Sequence, residues 1–71
     1  MGNLLKVRKL HGFTLHDLSE KTGIKINSLW RYEQGKIRPS VDNALKISNA
    51  LNVPIEELFV NERRKIHENN I

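Results

Sequence analysis

Apolar residues recur at helical spacing in five short segments of this chain, and glycine, proline or asparagine lies between the segments. Spacings of three and four residues place side chains on one face of an α-helix. The predicted helices are, in order, Leu4–Leu10, a second between Thr14 and Gly23, about Ile26–Gln34, about Val41–Asn52, and a fifth in the segment PIEELFV that starts at Pro54. No stretch has a strong strand pattern, so we expect an all-α fold of five short helices.

Residues that cap helices mark the second predicted helix and the turn after it. Thr14 and Asp17 have the spacing of a capping box with a shortened acid. Gly23 can adopt the left-handed conformation that ends a helix, and Ile24 should be buried in the turn. Two helices that meet across such a turn form a helix-turn-helix unit, whose second helix can lie in the major groove of DNA.

The third predicted helix has two different sides. Its inward side carries Leu29, Tyr32 and Glu33. Its outward side carries one large aromatic residue among mostly polar ones, namely Ile26, Asn27, Trp30, Arg31 and Gln34. A loop with Lys36 and Arg38 follows, and Ser40 is placed to cap the fourth helix. We therefore expect the outward side of this helix and the loop to form one exposed basic surface.

The fourth and fifth predicted helices supply the remaining core. In the fourth, the positions that share the apolar face are Val41, Ala44, Leu45, Ile47, Ser48 and Leu51. In the fifth, Pro54 suits the first turn, and Ile55, Leu58 and Phe59 are the expected core residues. Residues 1–60 are thus predicted to form one domain. Residues 61–71 are polar, and a frayed helical extension, a tail and a linker all fit their composition.

Composition narrows the class of partner. Twelve lysines and arginines against eight acidic residues give a formal net charge of +4 on 71 residues, which favours a polyanionic partner. The chain has no cysteine, which excludes disulfides and thiolate metal sites and favours a reducing cytoplasm. No apolar run approaches the roughly 20 residues that span a bilayer, and we expect no signal peptide.

The motifs along the chain resemble those of the lambda-repressor-like helix-turn-helix proteins of the Cro/repressor and Xre type. The resemblance covers about Leu4 to Phe59. The residues that carry it are Val7-Arg8, Gly12-Phe13-Thr14, Leu18-Ser19 with Gly23, Tyr32-Glu33-Gln34-Gly35 and Pro39-Ser40, followed by Leu45, Ile47, Leu51, Val53 and Leu58-Phe59. The resemblance implies a sequence-specific DNA-binding transcriptional regulator, expected to be a repressor and a homodimer, at least on DNA.

The resemblance also assigns roles to residues of the third helix and its flanks. The implied base-reading positions are Lys25, Ile26, Asn27 and Arg31. Asn suits adenine, Arg or Lys suits guanine, and Ile can touch a thymine methyl group. The expected phosphate contacts are Ser28, Gln34, Lys36, Arg38 and Ser40. Three of these residues have an alternative that involves no contact with DNA. Asn27 could be a solvated surface amide, Lys25 could simply lie near the helix cap, and Ser40 could only cap the fourth helix.

Arg8 lies beside the buried face of the first helix, where either a solvated cation or an ion pair with a core acid fits the residue pattern. The resemblance implies Glu33 as the partner of Arg8. A pair of this kind would fix the third helix against the first, so Arg8→Leu is expected to harm DNA binding.

Two positions depart from the family pattern. Leu15 stands where relatives often have a phosphate-holding Gln, and His16 beside it either replaces that contact or is simply solvated. Trp30 stands at an outward position that is commonly small or polar. It could pack against a sugar or base edge, cover the helix beside the loop, or join a protein contact.

Two other functional classes are the alternatives to DNA binding. An enzyme is disfavoured because the three histidines have no ligand spacing, there is no Gly-rich phosphate loop, and five small helices offer no large cleft. No cofactor, metal or small-molecule ligand is expected. The stronger alternative is a protein-interaction regulator of the same fold, such as an antitoxin or a repressor-binding module. A dimer would be expected to use Asn52–Pro54, Glu57 and Val60.

Overall fold

The computed structural model of the chain describes residues 3–59, and within that range it contains five α-helices and no strand. The helices are α1 (Leu4–Leu10), α2 (Leu15–Thr22), α3 (Ile26–Gln34), α4 (Val41–Leu51) and α5 (Ile55–Leu58). The all-α, five-helix prediction is confirmed. The segment 61–71, for which a tail or helical extension was predicted, lies outside the described residues, as does Val60.

One hydrophobic core joins the five helices. Each helix contributes at least one buried leucine or isoleucine, and the turn after α2 contributes another; the cluster consists of Leu4, Leu18, Ile24, Leu29, Ile47, Leu51 and Leu58. Helix α2 packs against α3 and α4, while α1 packs against α3 and α5. The backbone N–H of Asn3 donates to the carbonyl oxygen of Leu58 at 2.9 Å and ties the start of α1 to α5.

The turn between α2 and α3 is held by two hydroxyl groups at the end of α2. The Ser19 hydroxyl donates to the carbonyl oxygen of Ile24 at 2.6 Å. The Thr22 hydroxyl donates to the carbonyl oxygen of Leu18 at 2.8 Å and accepts from the N–H of Ile24 at 3.2 Å. Gly23 takes the left-handed conformation, with φ of 76°, and Ile24 is buried. The predicted helix-turn-helix is therefore present with a fixed turn.

The apolar face predicted for α4 is wider than the face that the fold buries. Ala44, Ile47 and Leu51 are buried, but Val41 is 74% exposed and Leu45 is 47% exposed. At about 100° per residue, Val41 and Leu45 lie roughly 90° and 130° around the helix from the middle of the buried face. The neighbouring helices α2 and α5 cover only that buried face, so the prediction was wrong for these two residues.

Helix α5 is shorter than predicted. Pro54 is the N-cap residue rather than part of the first turn, and Phe59 already leaves the helical conformation with φ of −125°. Leu58 is fully buried, whereas Ile55 and Phe59 are only partly buried.

The predicted capping box at the start of α2 is present. The Thr14 hydroxyl accepts from the N–H of Asp17 at 3.0 Å, and the Asp17 carboxylate accepts from the N–H of Thr14 at 3.0 Å. Two hydrogen bonds with Thr14 lower the pKa of Asp17 below its ordinary value of 3.8. The bond from the Thr14 backbone has the larger effect, and the bond with the Thr14 side chain has the smaller one. The charged form of Asp17 is thus favoured by folding.

This pKa shift predicts how the stability contribution of Asp17 depends on pH. Because the pKa is lower in the folded state, the contribution is complete above the ordinary value and is lost as the pH falls through the folded value. Asp17→Asn should therefore be less stable than the parent at neutral pH, and the gap should narrow in acid. Thermal denaturation of both proteins between about pH 7 and pH 3 tests this. A gap that stays constant over that range would contradict the assignment.

Thr14→Ala removes the N-cap hydroxyl of α2 and should lower the free energy of unfolding by about 1 kcal/mol.

Candidate nucleic-acid interface

The outward side of α3 lies on the protein surface as predicted. At about 100° per residue, the exposed side chains follow one another around the helix in a fixed order, which is Ile26, Trp30, Gln34, Asn27 and Arg31. The two apolar members of the order lie together at one edge of this surface, and the polar members occupy the middle and the other edge. The structure thus brings four of the predicted DNA contacts onto one helical face.

The other predicted contacts flank this face. Lys25 is exposed and is the N-cap residue of α3, with an extended backbone and no capping hydrogen bond from its side chain. Ser28 is only partly exposed because it lies nearer the buried side of α3. Lys36 and Arg38 are exposed in the loop after α3. The Ser40 hydroxyl accepts from the N–H of Asn43 at 3.2 Å, so the capping role of Ser40 is confirmed.

Arg8 holds α3 against α1. Its Nη2 donates to Oε1 of Glu33 at 3.1 Å, and its Nε donates to the other carboxylate oxygen. Its Nη1 donates to the carbonyl oxygen of Phe13 at 2.8 Å. The side chains of Arg8 and Glu33 are only 10% and 2% exposed. The ion pair implied by the resemblance is therefore confirmed, and the alternative of a solvated Arg8 is wrong.

A second contact, which was not predicted, joins α3 to α4. The Nδ2 of Asn43 donates to the hydroxyl oxygen of Tyr32 at 2.9 Å. Asn43 lies in the first turn of α4, directly after the loop that carries Lys36 and Arg38. The contact therefore sets the position of that loop relative to α3. Its partners lie eleven residues apart on different helices, so helical periodicity carries no signal that could have paired them.

Trp30 extends toward the loop rather than into the core. Its side chain is 44% exposed, and it belongs neither to the core cluster nor to the partly buried residues packed against that cluster. The Nζ of Lys36 lies 5.9 Å from the centre of the indole ring, within the range of a cation–π contact. Of the alternatives for Trp30, a position beside the loop is the one that the structure supports.

Leu15 and His16, at and beside the position of the expected Gln of α2, contact other residues of the chain. Leu15 is partly buried and packs against the core cluster. The Nε2 of His16 lies 3.4 Å from a carboxylate oxygen of Glu20, and both side chains are 69% exposed. A negative charge beside His16 weakens its suitability for binding phosphate.

Two features are absent from residues 3–59. No group of three or more His, Cys, Asp or Glu side chains is arranged to hold a metal ion in that range. Nor does any helix in the same range have the length and hydropathy needed to cross a membrane.

Comparison with known proteins places the chain in a family. A model of the helix-turn-helix family matches residues 4–58. An uncharacterized HTH-type transcriptional regulator of Methanocaldococcus jannaschii is 40% identical over 63 residues, which cover 87% of this chain and 96% of that protein. Another, from Archaeoglobus fulgidus, is 36% identical over 53 residues, 75% of this chain and 76% of that protein.

A phage protein is also similar. The cryptic phage CTXphi transcriptional repressor RstR of Vibrio cholerae is 34% identical over 55 residues, which cover 78% of this chain and 49% of that protein. No solved structure matches the chain at a significant level. The chain belongs to the helix-turn-helix family of Cro/repressor type, and the predicted resemblance and lambda-repressor-like fold are confirmed.

The ion pair between Arg8 and Glu33 yields a stability prediction. Arg8→Leu leaves the Glu33 carboxylate buried without its partner, which should cost about 3–5 kcal/mol. The double variant Arg8→Leu/Glu33→Leu removes both charges and should recover most of that loss. Denaturant unfolding measures both effects, with Lys9→Leu as the matched exposed control, expected within about 0.5 kcal/mol of the parent. An equal loss in the single and double variants would show that the pair is not responsible.

Proposed function

We propose that this protein is a sequence-specific DNA-binding regulator of transcription that inserts α3 into the major groove. The observation that carries the proposal is the exposed face of α3, on which Asn27 and Arg31 lie four residues apart. Side chains at that spacing are neighbours on a helix and can reach base edges in the same groove. Membership of a family of transcriptional regulators supports the same function.

The charge distribution favours DNA as the partner of this face. Residues 25–38 contain four cationic residues, Lys25, Arg31, Lys36 and Arg38, and a single acid, Glu33. The Glu33 carboxylate is buried in its pair with Arg8, so its charge is compensated and withdrawn from the surface. The surface around α3 is therefore positive, as binding to phosphate requires.

Each predicted contact has a defined role in this proposal. Asn27 would bond to N6 and N7 of adenine, and Arg31 or Lys25 to O6 and N7 of guanine. Ile26 would contact a thymine methyl group. The phosphate contacts would be Ser28, Gln34, Lys36, Arg38 and Ser40, and they would set the position of α3 without reading sequence. Ser40 could do so only while its hydroxyl also caps α4.

We further propose that the protein acts as a repressor and binds DNA as a homodimer. The phage relative is named a transcriptional repressor. A protein of this fold that occupies a DNA site can also block other proteins from binding there. The proposed dimer interface is the α4–α5 connection with Asn52–Pro54 and Glu57. Asn52, Pro54 and Glu57 are exposed in the described structure, and they remain available for a second subunit.

An alternative function is a protein-interaction regulator of the same fold. The observation that favours it is the exposure of the apolar residues Val41 and Leu45 on α4. A regulator of this kind would bind its protein partner without selecting a DNA sequence. Measurements on DNA therefore separate the two functions.

Selection of bound duplexes from a random pool tests DNA binding and dimerisation together. A dimer should enrich an inverted repeat whose half-sites lie about 34 Å, or one helical turn, apart. A monomer that reads DNA should enrich a single short site. Failure to enrich any sequence, at low as well as moderate salt, would rule out sequence-specific DNA binding.

Variants of Asn27 and Lys36 should separate base reading from phosphate contact. Asn27→Ala should lose about 1–3 kcal/mol of discrimination at one position of the selected site. Lys36→Ala should weaken binding to all duplexes and reduce the dependence of log K on log salt by about one. Lys46→Ala removes the same charge from α4, outside the proposed site, and serves as the matched control. The roles would be wrong if Asn27→Ala weakened all duplexes equally.

A further inference from the structure

Ile26 and Trp30 form an apolar strip at one edge of the exposed face of α3. They lie four residues apart and are therefore neighbours on the helix. Ile26 is 40% exposed and Trp30 is 44% exposed, and neither belongs to the buried core cluster. Burial in the fold therefore does not account for the size of the indole ring at this position.

The position of the strip indicates what it contacts. It lies on the same helical face as Asn27 and Arg31, and the loop cation Lys36 lies over the ring of Trp30. A protein partner that covered the strip with an apolar groove would also have to bury these polar and charged groups, at a cost unless each found a partner. DNA can contact the charged groups and the apolar strip together. Its phosphates attract the cations, and its major groove contains one apolar group, the 5-methyl group of thymine.

The side chain of Trp30 lies beside that of Lys36. The Nζ of Lys36 lies over the indole ring, 5.9 Å from its centre. A tryptophan has only two side-chain torsions, so its large ring loses little entropy when it is bound. Trp30 therefore combines a large apolar surface with a low cost of ordering.

We propose that Trp30 is a specificity-determining residue, which extends the methyl contact already proposed for Ile26 and recognises the 5-methyl group of pyrimidines on one strand of the major groove. Thymine carries this methyl group, and 5-methylcytosine presents the same group at the same ring position. The inference rests on the proposed function, because it requires α3 to lie in the major groove. It assigns to Trp30 a role beyond its contact with Lys36.

Substitution of deoxyuridine for thymidine tests the proposal, because it removes one methyl group and keeps every base-pairing group. Each thymine of the selected duplex is replaced in turn, and the affinity of the unmodified protein is measured. At one or two positions per half-site the affinity should fall about three- to fourfold, which corresponds to losing the burial of one methyl group in the complex. The Trp30→Ala variant should bind the thymine and uracil duplexes with equal affinity at one of those positions.

Three variants serve as controls. Leu10→Ala removes an exposed apolar side chain from α1, where Leu10 is 76% exposed, and should keep the discrimination between thymine and uracil. Lys36→Ala should weaken binding overall and also keep that discrimination. Trp30→Phe keeps an aromatic ring and should retain part of it. Thermal denaturation should show that all the variants are folded.

Two results would overturn the proposal, and a third is distinguishable from them. If uracil has no effect on the unmodified protein at any position, the methyl groups are not read. If Trp30→Ala weakens binding equally on both duplexes while the discrimination persists, Trp30 only positions Lys36. If no sequence is selected at all, the proposed DNA-binding function itself fails and the methyl contact fails with it.

Discussion

The buried pair of Arg8 and Glu33 is the interaction on which the rest of the site depends. It joins α1 to α3 across 25 residues of sequence, and a further hydrogen bond from Arg8 reaches the backbone of Phe13, just before α2. One guanidinium group therefore fixes three segments of the chain relative to one another. The same pair removes the only acid of residues 25–38 from the surface. The rigidity of α3 and the positive charge of its exposed side thus have a common origin.

The loop after α3 is also fixed relative to the rest of the fold. The bond between Tyr32 and Asn43 holds the start of α4 against α3, and Ser40 caps α4. Between these points the loop presents Lys36 and Arg38 to solvent. Phosphate contacts on a loop anchored at both ends would hold a fixed distance from the base-reading face. Under the proposed function, such anchoring would let sequence-independent contacts set the register in which bases are read.

The sequence predicted the features that depend on local chemistry. The bounds of α1 to α3, the capping box of Thr14 and Asp17, the turn at Gly23 and the exposed side of α3 all follow from spacing and residue type, and the structure agrees. The pair of Arg8 and Glu33 needed the family resemblance. Periodicity failed at Val41 because it identifies an apolar face but not how far neighbouring helices cover it. That the α3 residues are exposed is confirmed, while their contacts with bases stay a prediction.

The location of Trp30 gives the protein an internal optical probe. It is the only tryptophan of the chain, so emission excited in the indole band comes from a single ring at the edge of α3. That ring is partly open to solvent and lies beside the Lys36 ammonium group. Its emission wavelength and its quenching by small solutes therefore report on this one surface without a chemical label. Occupation of the surface, by whatever partner, can be followed directly on the native chain.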